Sequence, residues 1–295
     1  MDSASIYLRA MGQPSTSGWA AALIPHRRRI GAPERLDYTG RIAKNRDTES
    51  KQVTAYSDLE HTTRRQLAAA FRWAARLHLH ESIANHFSAT LGADSDEFLI
   101  NPRGAHFSRI RASDLVLTRA GDGAGDHIDL TAWALHSELH RLIPRARCVL
   151  HTHMPYVTAL TCLQDFEFMM LDQNACRFHD RVAYDRDYAG MALDEDEGQR
   201  VAELLGERHD VLFLGNHGVI VIGDSVAQAF DELYCLERAA QVQVLALSTG
   251  RPLASVPDHT ARLACEQWRT YPQFAELHLQ ALIGILDEEE PDYRD

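Results

Sequence analysis

The feature that most constrains this 295-residue chain is a His-Thr-His tripeptide that closes a short apolar run and ends at His153. Side chains along a β-strand alternate between its two faces, so His151 and His153 point the same way and can hold one metal ion together. Further along, Gly215-Asn216-His217-Gly218 separates two strand-like apolar runs, and its glycines let the backbone turn sharply. The pattern predicts a strand and a turn that bring three histidines to one site.

Three histidines leave one coordination position of a metal ion open. Water or substrate can reach such a position, which is typical of catalytic zinc sites, whereas structural zinc sites are closed. The alternative is chance, because a chain with 16 histidines should contain roughly one pair spaced two apart. A second such pair, His78 and His80, falls in a helical pattern, where residues two apart diverge. The added turn favours a metal site at His151, His153 and His217, with Zn²⁺ expected and Mn²⁺ or Fe²⁺ as alternatives.

The composition narrows the class of partner. The formal net charge is −12, and no basic stripe exists outside the N-terminal stretch, which argues against a nucleic-acid groove and against anionic membranes. A small-molecule partner fits better. The five cysteines are odd in number, widely spaced and without a CxxC motif, so a disulfide framework is not expected. The expected location is therefore the cytoplasm, where thiols stay reduced. No apolar run approaches the length of a membrane span.

The distribution of lysines excludes one kind of chemistry. Lys44 and Lys51 are the only lysines, and both lie in the N-terminal stretch. Schiff-base aldolases and pyridoxal-phosphate enzymes need a lysine amine in their core. A carbanion formed here must therefore be stabilised by a metal ion or by the substrate itself.

Two regions differ in patterning. Residues 1–52 mix Gly, Pro, Ser, Thr and Arg without sustained periodicity, which predicts a flexible N-terminal extension, and residues 53–295 are predicted to form one metal-binding α/β domain. Helical patterns occupy about 58–80, where Ser57 or Asp58 can cap the start, and 130–142, 195–205, 225–248 and 261–281, the last being one helix or a pair broken near Pro272. Strand-like runs occupy 87–91, 98–100, 115–117, 148–153 and 211–222.

The order of motifs resembles the class II aldolase and adducin head-domain family over about residues 58–255. The matching segments, in chain order, are 84–88, 101–107, 112–117, 136–144, 151–153, 216–218 and 236–240. The resemblance implies a three-layer α/β/α domain with a central, mainly antiparallel sheet. It also implies a divalent metal ion, usually zinc, on three histidines, and a homotetramer with active sites at subunit interfaces.

The phosphate-binding pattern of the family is altered. Sugar-phosphate aldolases and epimerases of this family use a Gly-Asn-x-Ser loop, a Thr-Gly turn and a pair of serines. Here these positions hold Asn85-His86-Phe87-Ser88, Arg103-Gly104 and Leu130-Thr131. We therefore expect a non-phosphorylated substrate, with Arg103 pairing with a carboxylate through its guanidinium fork. The substrate-binding residues implied by position are His86, Ser88, Asn101, Arg103, Gly104 and Gln173.

The family's catalytic glutamate is also missing. The aldolases place it four residues before the histidine that matches His136, where this chain has Ala132. By position in the family, Tyr184 or Tyr188 reaches the site of a neighbouring subunit, and Tyr184 is the predicted proton donor. The alternative is a tyrosine that packs at the subunit surface. His136 and His140 share a helix face, but without the glutamate spacing of an HExxH motif they are interpreted as structural.

These observations predict a metal-dependent carbon–carbon lyase that acts on a small oxygenated acid. Retro-aldol cleavage and decarboxylation both fit an open metal position. Decarboxylation is slightly favoured, because it needs no base to begin and because family branches with alanine at the glutamate position include aromatic-acid decarboxylases. The alternatives are a class II aldolase acting on a hydroxy-carbonyl or sugar-phosphate substrate, and a non-catalytic scaffold like the adducin head.

Overall fold

The structure is a computed structural model that describes residues 57–92, 95–188, 190–271 and 273–295. The predicted N-terminal extension, residues 1–52, lies outside the described residues, and the predicted domain boundary stays a prediction. The helices are α1 (Asp58–Arg76), α2 (Leu130–Leu142), α3 (Pro155–Thr161), α4 (Gln173–Cys176), α5 (Glu195–Leu205), α6 (Val226–Ser248), α7 (Asp258–Thr270) and α8 (Phe274–Glu289). The strands are β1 (His86–Thr90), β2 (Glu97–Ile100), β3 (Val116–Arg119), β4 (Cys148–Thr152), β5 (Val182–Asp185), β6 (Val211–Leu214) and β7 (Gly218–Gly223).

These strands form one seven-stranded sheet in the order β3-β2-β1-β4-β7-β6-β5. Every neighbouring pair is antiparallel except β5 and β6, which are parallel. The strand that comes last in the sequence, β7, therefore lies inside the sheet, between β4 and β6.

Helices cover both faces of the sheet. Helices α2 and α5 pack on one face, where Leu139 and Leu205 meet Val149 and Ile220. Helices α1, α3 and α6 pack on the other face in a larger core. The predicted three-layer α/β/α fold with a mainly antiparallel sheet is confirmed.

Side-chain caps determine where several helices begin. Ser57 Oγ accepts a hydrogen bond from the Glu60 amide, so Ser57 caps α1 and the helix begins at Asp58, as its sequence pattern predicts. Helices α2 and α5 have the predicted bounds, and each is capped by an aspartate. The predicted C-terminal pair is present as α7 and α8. Strand β5 and the short helices α3 and α4 were not predicted. Within the described part of the chain, no helix combines the length and apolarity that crossing a bilayer requires.

Candidate metal centre

Three histidines converge where β4 ends. His151 is on β4, His153 follows that strand, and His217 lies in the turn between β6 and β7. The ring centroids of His153 and His217 are 4.7 Å apart, and those of His151 and His217 are 4.8 Å apart. One nitrogen from each ring can be chosen so that all three lie within 4.8 Å of one another. The structure thus brings together the three residues that the sequence predicted as ligands.

The turn at Gly218 depends on a close backbone approach. A Cβ atom at this position would lie 2.4 Å from the Thr152 carbonyl oxygen and 3.0 Å from His153 Cδ2. Asn216 precedes it with φ 54°, in the left-handed region that asparagine tolerates better than most residues. The local sequence therefore permits β7 to pack tightly against β4 and keeps His217 beside His153.

Hydrogen bonds orient two of the three imidazoles. His151 Nδ1 lies 3.1 Å from the Val219 carbonyl oxygen, and His153 Nδ1 lies 2.7 Å from Glu81 Oε2. Each Nδ1–H donates to an oxygen, which leaves the lone pair on Nε2, and the two Nε2 atoms are 3.2 Å apart. Ligand histidines in metal sites have this arrangement, with the second ring nitrogen bonded to a carbonyl or carboxylate oxygen.

The electrostatics of the cluster also suit a cation. Burial, with the neighbouring histidines, holds the pKa of His151 well below its ordinary value. Burial and His153 lower the pKa of His217 to about 4. Both rings are therefore neutral near pH 7, and neutral imidazole is the form that binds metal ions. The donor set and its orientation fit a divalent metal ion.

His151, His153 and His217 are called the triad below. A second group of polar residues lies beside the triad, between the sheet and α2. His86 is the cross-strand neighbour of His151, with ring centroids 4.8 Å apart. His86 Nδ1 is 2.8 Å from His136 Nε2, and Ser88 Oγ contacts His136 Nδ1 and lies 2.7 Å from His140 Nε2. Burial holds the pKa values of His86 and His136 well below their ordinary range. The predicted substrate-binding residue His86 is thus near the triad, and it is connected to His136 directly and to His140 through His136 and Ser88.

Two predicted substrate residues lie inside the fold. Ser88 is fully buried, and both partners of its hydroxyl are histidines. Asn101 Oδ1 accepts a hydrogen bond from the Phe87 amide at 3.1 Å, and Asn101 Nδ2 donates to the Asn85 carbonyl at 3.5 Å. In the single chain these side chains hold β1 and its neighbours in place. Their direct contact with a substrate stays a prediction.

The other predicted substrate residues lie at the surface. The Arg103 side chain is 64% exposed, with its Nε 3.8 Å from Asp129 Oδ2. Gly104, beside it, has φ 77°. Gln173 begins α4 and lines a surface cavity with Trp268, separate from the triad. The structure leaves Arg103 able to meet a ligand, and it does not bring Gln173 to the triad within one chain.

The two candidate proton donors have different surroundings. The Tyr184 hydroxyl accepts a hydrogen bond from the Phe168 amide at 2.9 Å, and burial raises its pKa. Its ring stacks on Phe213. Tyr188 is 56% exposed, and its ring centroid is 6.1 Å from that of His217. Within one chain, Tyr188 is the tyrosine beside the site, and the role of Tyr184 stays a prediction.

Sequence reasoning missed one carboxylate and interpreted one network as structural only. Glu81 lies in the loop before β1, and no motif or spacing connects it with His153. His136 and His140 were recognised as sharing a helix face, but their link to His86 depends on where α2 packs on the sheet. For Glu81, the only signal in the sequence was its position, as an acidic residue shortly before the strand of His86.

Comparisons with known proteins match a large part of the chain. A family model described as the class II aldolase and adducin N-terminal domain matches residues 65–244. A crystal structure of an aldolase II superfamily protein from Pseudomonas syringae superposes with a TM-score of 0.74 at 34% identity, covering 82% of this chain and 98% of that one.

Three relatives differ in what their names say. A putative aldolase class 2 protein of Pseudomonas aeruginosa is 33% identical over 247 residues, which are 81% of this chain and 94% of that protein. Decarboxylase NovR of Streptomyces niveus is 30% identical over 226 residues, 72% of this chain and 82% of NovR. Alpha-adducin of Mus musculus is 30% identical over 220 residues, 72% of this chain but only 30% of adducin.

Proposed function

Since the chain belongs to the class II aldolase and adducin family, we propose that it is a metal-dependent carbon–carbon lyase that decarboxylates a small oxygenated acid. The observation that carries the proposal is the convergence of His151, His153 and His217. A domain used only as a scaffold has no physical need for three convergent imidazoles, two of which are already oriented by hydrogen bonds to their Nδ1 atoms.

The three histidines would hold one divalent ion, and zinc is the ion we expect. Imidazole nitrogen is a favoured zinc ligand, and Mn²⁺ and Fe²⁺ are the alternatives. A bound ion acts as a Lewis acid towards adjacent substrate oxygens. The protein's own part is to orient the rings: the Val219 carbonyl and the Glu81 carboxylate hold the ligand nitrogens of His151 and His153 towards the same point.

Arg103 is the residue we assign to the substrate carboxylate. Its guanidinium is mostly exposed, and the contact with Asp129 is too long for a hydrogen bond, so the fork can pair with an incoming acid. The substitutions in the phosphate-binding pattern support a substrate without phosphate.

Decarboxylation is favoured over retro-aldol cleavage by the surroundings of residue 132. Ala132 is buried against Phe98, Ile100 and Trp133, so the position where the aldolases have a glutamate holds no proton carrier. Loss of carbon dioxide needs no base to begin, and only an acid to protonate the carbanion. The similarity to a protein named decarboxylase NovR supports the same choice. Tyr188 and Tyr184 are the proposed acids, Tyr184 being assigned to a neighbouring subunit's site.

We also propose a homotetramer with sites at subunit interfaces. The cleft beside His217, lined by Tyr188 and Leu135, has a volume of only about 20 Å³. That is near the space of one water molecule, so a second chain would complete the substrate pocket. The cytoplasmic location expected from the cysteines remains a prediction, and all five cysteines are free.

The test combines metal analysis with product detection. Purified protein is expected to bind about one zinc ion per chain, as for a three-histidine site, and the His151→Ala, His153→Ala double variant to bind none. The matched control removes two exposed helical histidines, His61→Ala with His259→Ala, and should keep the zinc. The zinc-loaded protein is then assayed for release of labelled carbon dioxide from carboxyl-labelled 2-hydroxy acids and ortho-hydroxybenzoic acids.

Each outcome separates the alternatives. Release of carbon dioxide, lost in the double variant, supports the decarboxylase. Zinc binding with cleavage of hydroxy-carbonyl compounds, and no carbon dioxide, supports an aldolase instead. Absence of zinc in the wild-type protein, even after reconstitution, overturns the lyase proposal and supports a scaffold.

A further inference from the structure

A continuous chain of hydrogen bonds leads from a backbone carbonyl to the edge of the triad. It begins at the Ala146 carbonyl oxygen, 2.7 Å from His140 Nδ1, and continues through Ser88 and His136 to His86. All four side chains lie between the sheet and α2, and Ser88 and His136 are fully buried. The hydrogen bonds described for these side chains are with one another and with Ala146.

The first link is fixed in direction because a carbonyl oxygen can only accept. His140 Nδ1 must carry the hydrogen, since a bare nitrogen at 2.7 Å from that oxygen would face another lone pair. Burial lowers the pKa of His140 to about 4, so near pH 7 the ring is neutral and has no second hydrogen. His140 Nε2 is therefore an acceptor.

The remaining links follow one after another. Ser88 has one hydroxyl hydrogen and must donate it to His140 Nε2, so its oxygen accepts from His136 Nδ1–H. His136 is buried with no carboxylate among its partners and is neutral, so its Nε2 is bare and accepts from His86 Nδ1–H. His86 Nε2 is then left with a lone pair.

His86 is the member of this chain that reaches the metal centre. It pairs in register with His151 across β1 and β4, and directly opposed residues of an antiparallel pair project to the same face. Its ring is tilted over the ring of His151. Ala132, one turn before His136 on α2, adds no competing donor or acceptor there.

We propose that Ala146, His140, Ser88 and His136 hold His86 in the Nδ1–H tautomer, and that the bare Nε2 of His86 makes the site select ligands with a hydroxyl donor beside the metal-binding oxygen. His86 is the specificity-determining residue, and Ser88, His136 and His140 are positioning residues. The proposal rests on the proposed function for its ligand class, which becomes the 2-hydroxy or ortho-hydroxy acids rather than the 2-keto acids.

The chemical reason is the asymmetry of hydrogen bonding. A hydroxyl donates to a bare nitrogen, whereas a keto oxygen presents lone pairs to it and leaves both groups unsatisfied. The chain prevents His86 from adapting, because reversing its tautomer would require every link back to the Ala146 carbonyl to reverse.

The first test reads the tautomer directly and needs no ligand. Protein labelled with ¹⁵N at histidine is studied by long-range ¹H–¹⁵N correlation spectra, with and without zinc, and a His86→Gln variant identifies the His86 signals. We expect a protonated Nδ1 and an unprotonated Nε2 for His86. In Ser88→Ala the chain is cut, so the His86 signals should shift towards a mixture of tautomers.

The matched control is Ser137→Ala. Ser137 is also a buried serine next to His136, but its hydroxyl donates to the Trp133 carbonyl on the same helix. This variant should leave the His86 signals unchanged. A protonated Nε2 in the wild-type protein, or an unchanged His86 spectrum in Ser88→Ala, overturns the assignment even if one variant folds poorly, since the wild-type spectrum alone decides it.

The second test addresses selectivity with lactate and pyruvate, acids of nearly equal size. Calorimetric titration of the zinc-loaded protein should show lactate binding about tenfold or more tightly than pyruvate, and Ser88→Ala should reduce this preference. Equal affinities, a preference for pyruvate, or no binding of lactate overturns the ligand class. Zinc content is measured separately, so failure of the proposed function, which appears as absence of zinc, is distinguished from failure of the tautomer assignment.

Discussion

Replacing Gly198 with alanine should force helices α2 and α5 apart. A Cβ atom at this position would lie 2.0 Å from the Ala134 carbonyl oxygen and 2.8 Å from Glu138 Cβ. Real Cβ atoms essentially never approach other heavy atoms closer than 3.0 Å. Since the obstacle is backbone, no side-chain rotation relieves it, and α5 must move by on the order of 1 Å in a core packed like a crystal.

The magnitude follows from two opposing effects. Overpacking of a well-packed core costs about 1–3 kcal/mol, and a backbone obstacle places this site near the upper end. Exchange of glycine for alanine inside a helix contributes about 1 kcal/mol in the opposite direction. The net expectation is a free energy of unfolding lower by about 2 kcal/mol, and a midpoint temperature lower by roughly 4–8 °C.

Urea unfolding followed by circular dichroism measures this effect, and Gly284→Ala is the matched control. Gly284 is also helical, in α8, but a Cβ there would meet nothing within 4 Å. That variant should be more stable than the wild type by up to about 1 kcal/mol. If Gly198→Ala were as stable as Gly284→Ala, helix propensity alone would govern both sites, and the close contact of α2 with α5 would be refuted.

Three further variants test the site and its surroundings. Glu81→Ala removes the carboxylate that orients His153, so the zinc dissociation constant, measured by chelator competition, should rise about 10–100-fold. Its stability without zinc should barely change, since the carboxylate is 66% exposed. Burial lowers the pKa of His140 to about 4, so the neutral ring contributes fully to stability above pH 6.5, and this contribution is lost as the pH falls towards 4. Between pH 7 and pH 4 the free energy of unfolding of metal-free His140→Gln, measured in urea, should therefore fall by about 3 kcal/mol less than that of the wild type. Asp231→Asn leaves the buried guanidinium of Arg177 without its counter-charge, which should lower the free energy of unfolding by about 3–5 kcal/mol.

Each of these variants has a control on the surface. Glu203→Ala removes an exposed carboxylate of α5 and should leave zinc affinity unchanged. His259→Gln, at an exposed histidine, should keep the acid sensitivity of the wild type. Arg262→Ala breaks an ion pair with Asp258 whose two side chains are mostly exposed, and should cost less than about 1 kcal/mol. If a variant and its control behaved alike, burial and contact would not explain the effect.

Local patterns were enough to predict most helices. The ranges of α2 and α5 agree with their apolar periodicity, because acidic caps and a buried apolar face coincide in both. The start of α1 was also predictable, because Ser57 is a favoured capping residue and precedes a segment whose apolar residues recur at helical spacing. Strand β5 was missed because four residues with alternating burial give too short a pattern.

The same distinction explains the site. The convergence of His151, His153 and His217 was predictable because a period of two and a glycine turn are properties of short segments. The connection of His86 with His136 was not, since it depends on the register of β1 against β4 and on the packing of α2. Glu81 belongs to the same class, because its partner is 72 residues away in the sequence.

The central position of β7 has a consequence for how the molecule opens. Four strands, β3, β2, β1 and β4, lie on one side of β7, and two strands, β6 and β5, lie on the other. Only β7 joins these two groups of strands by hydrogen bonds. The triad links β4 to β7, because His151 and His153 lie at the end of β4 and His217 lies in the turn that leads into β7. An ion bound by the triad would hold β7 against β4. Its removal should therefore first appear as faster amide hydrogen exchange in β7, before either flanking group of strands unfolds.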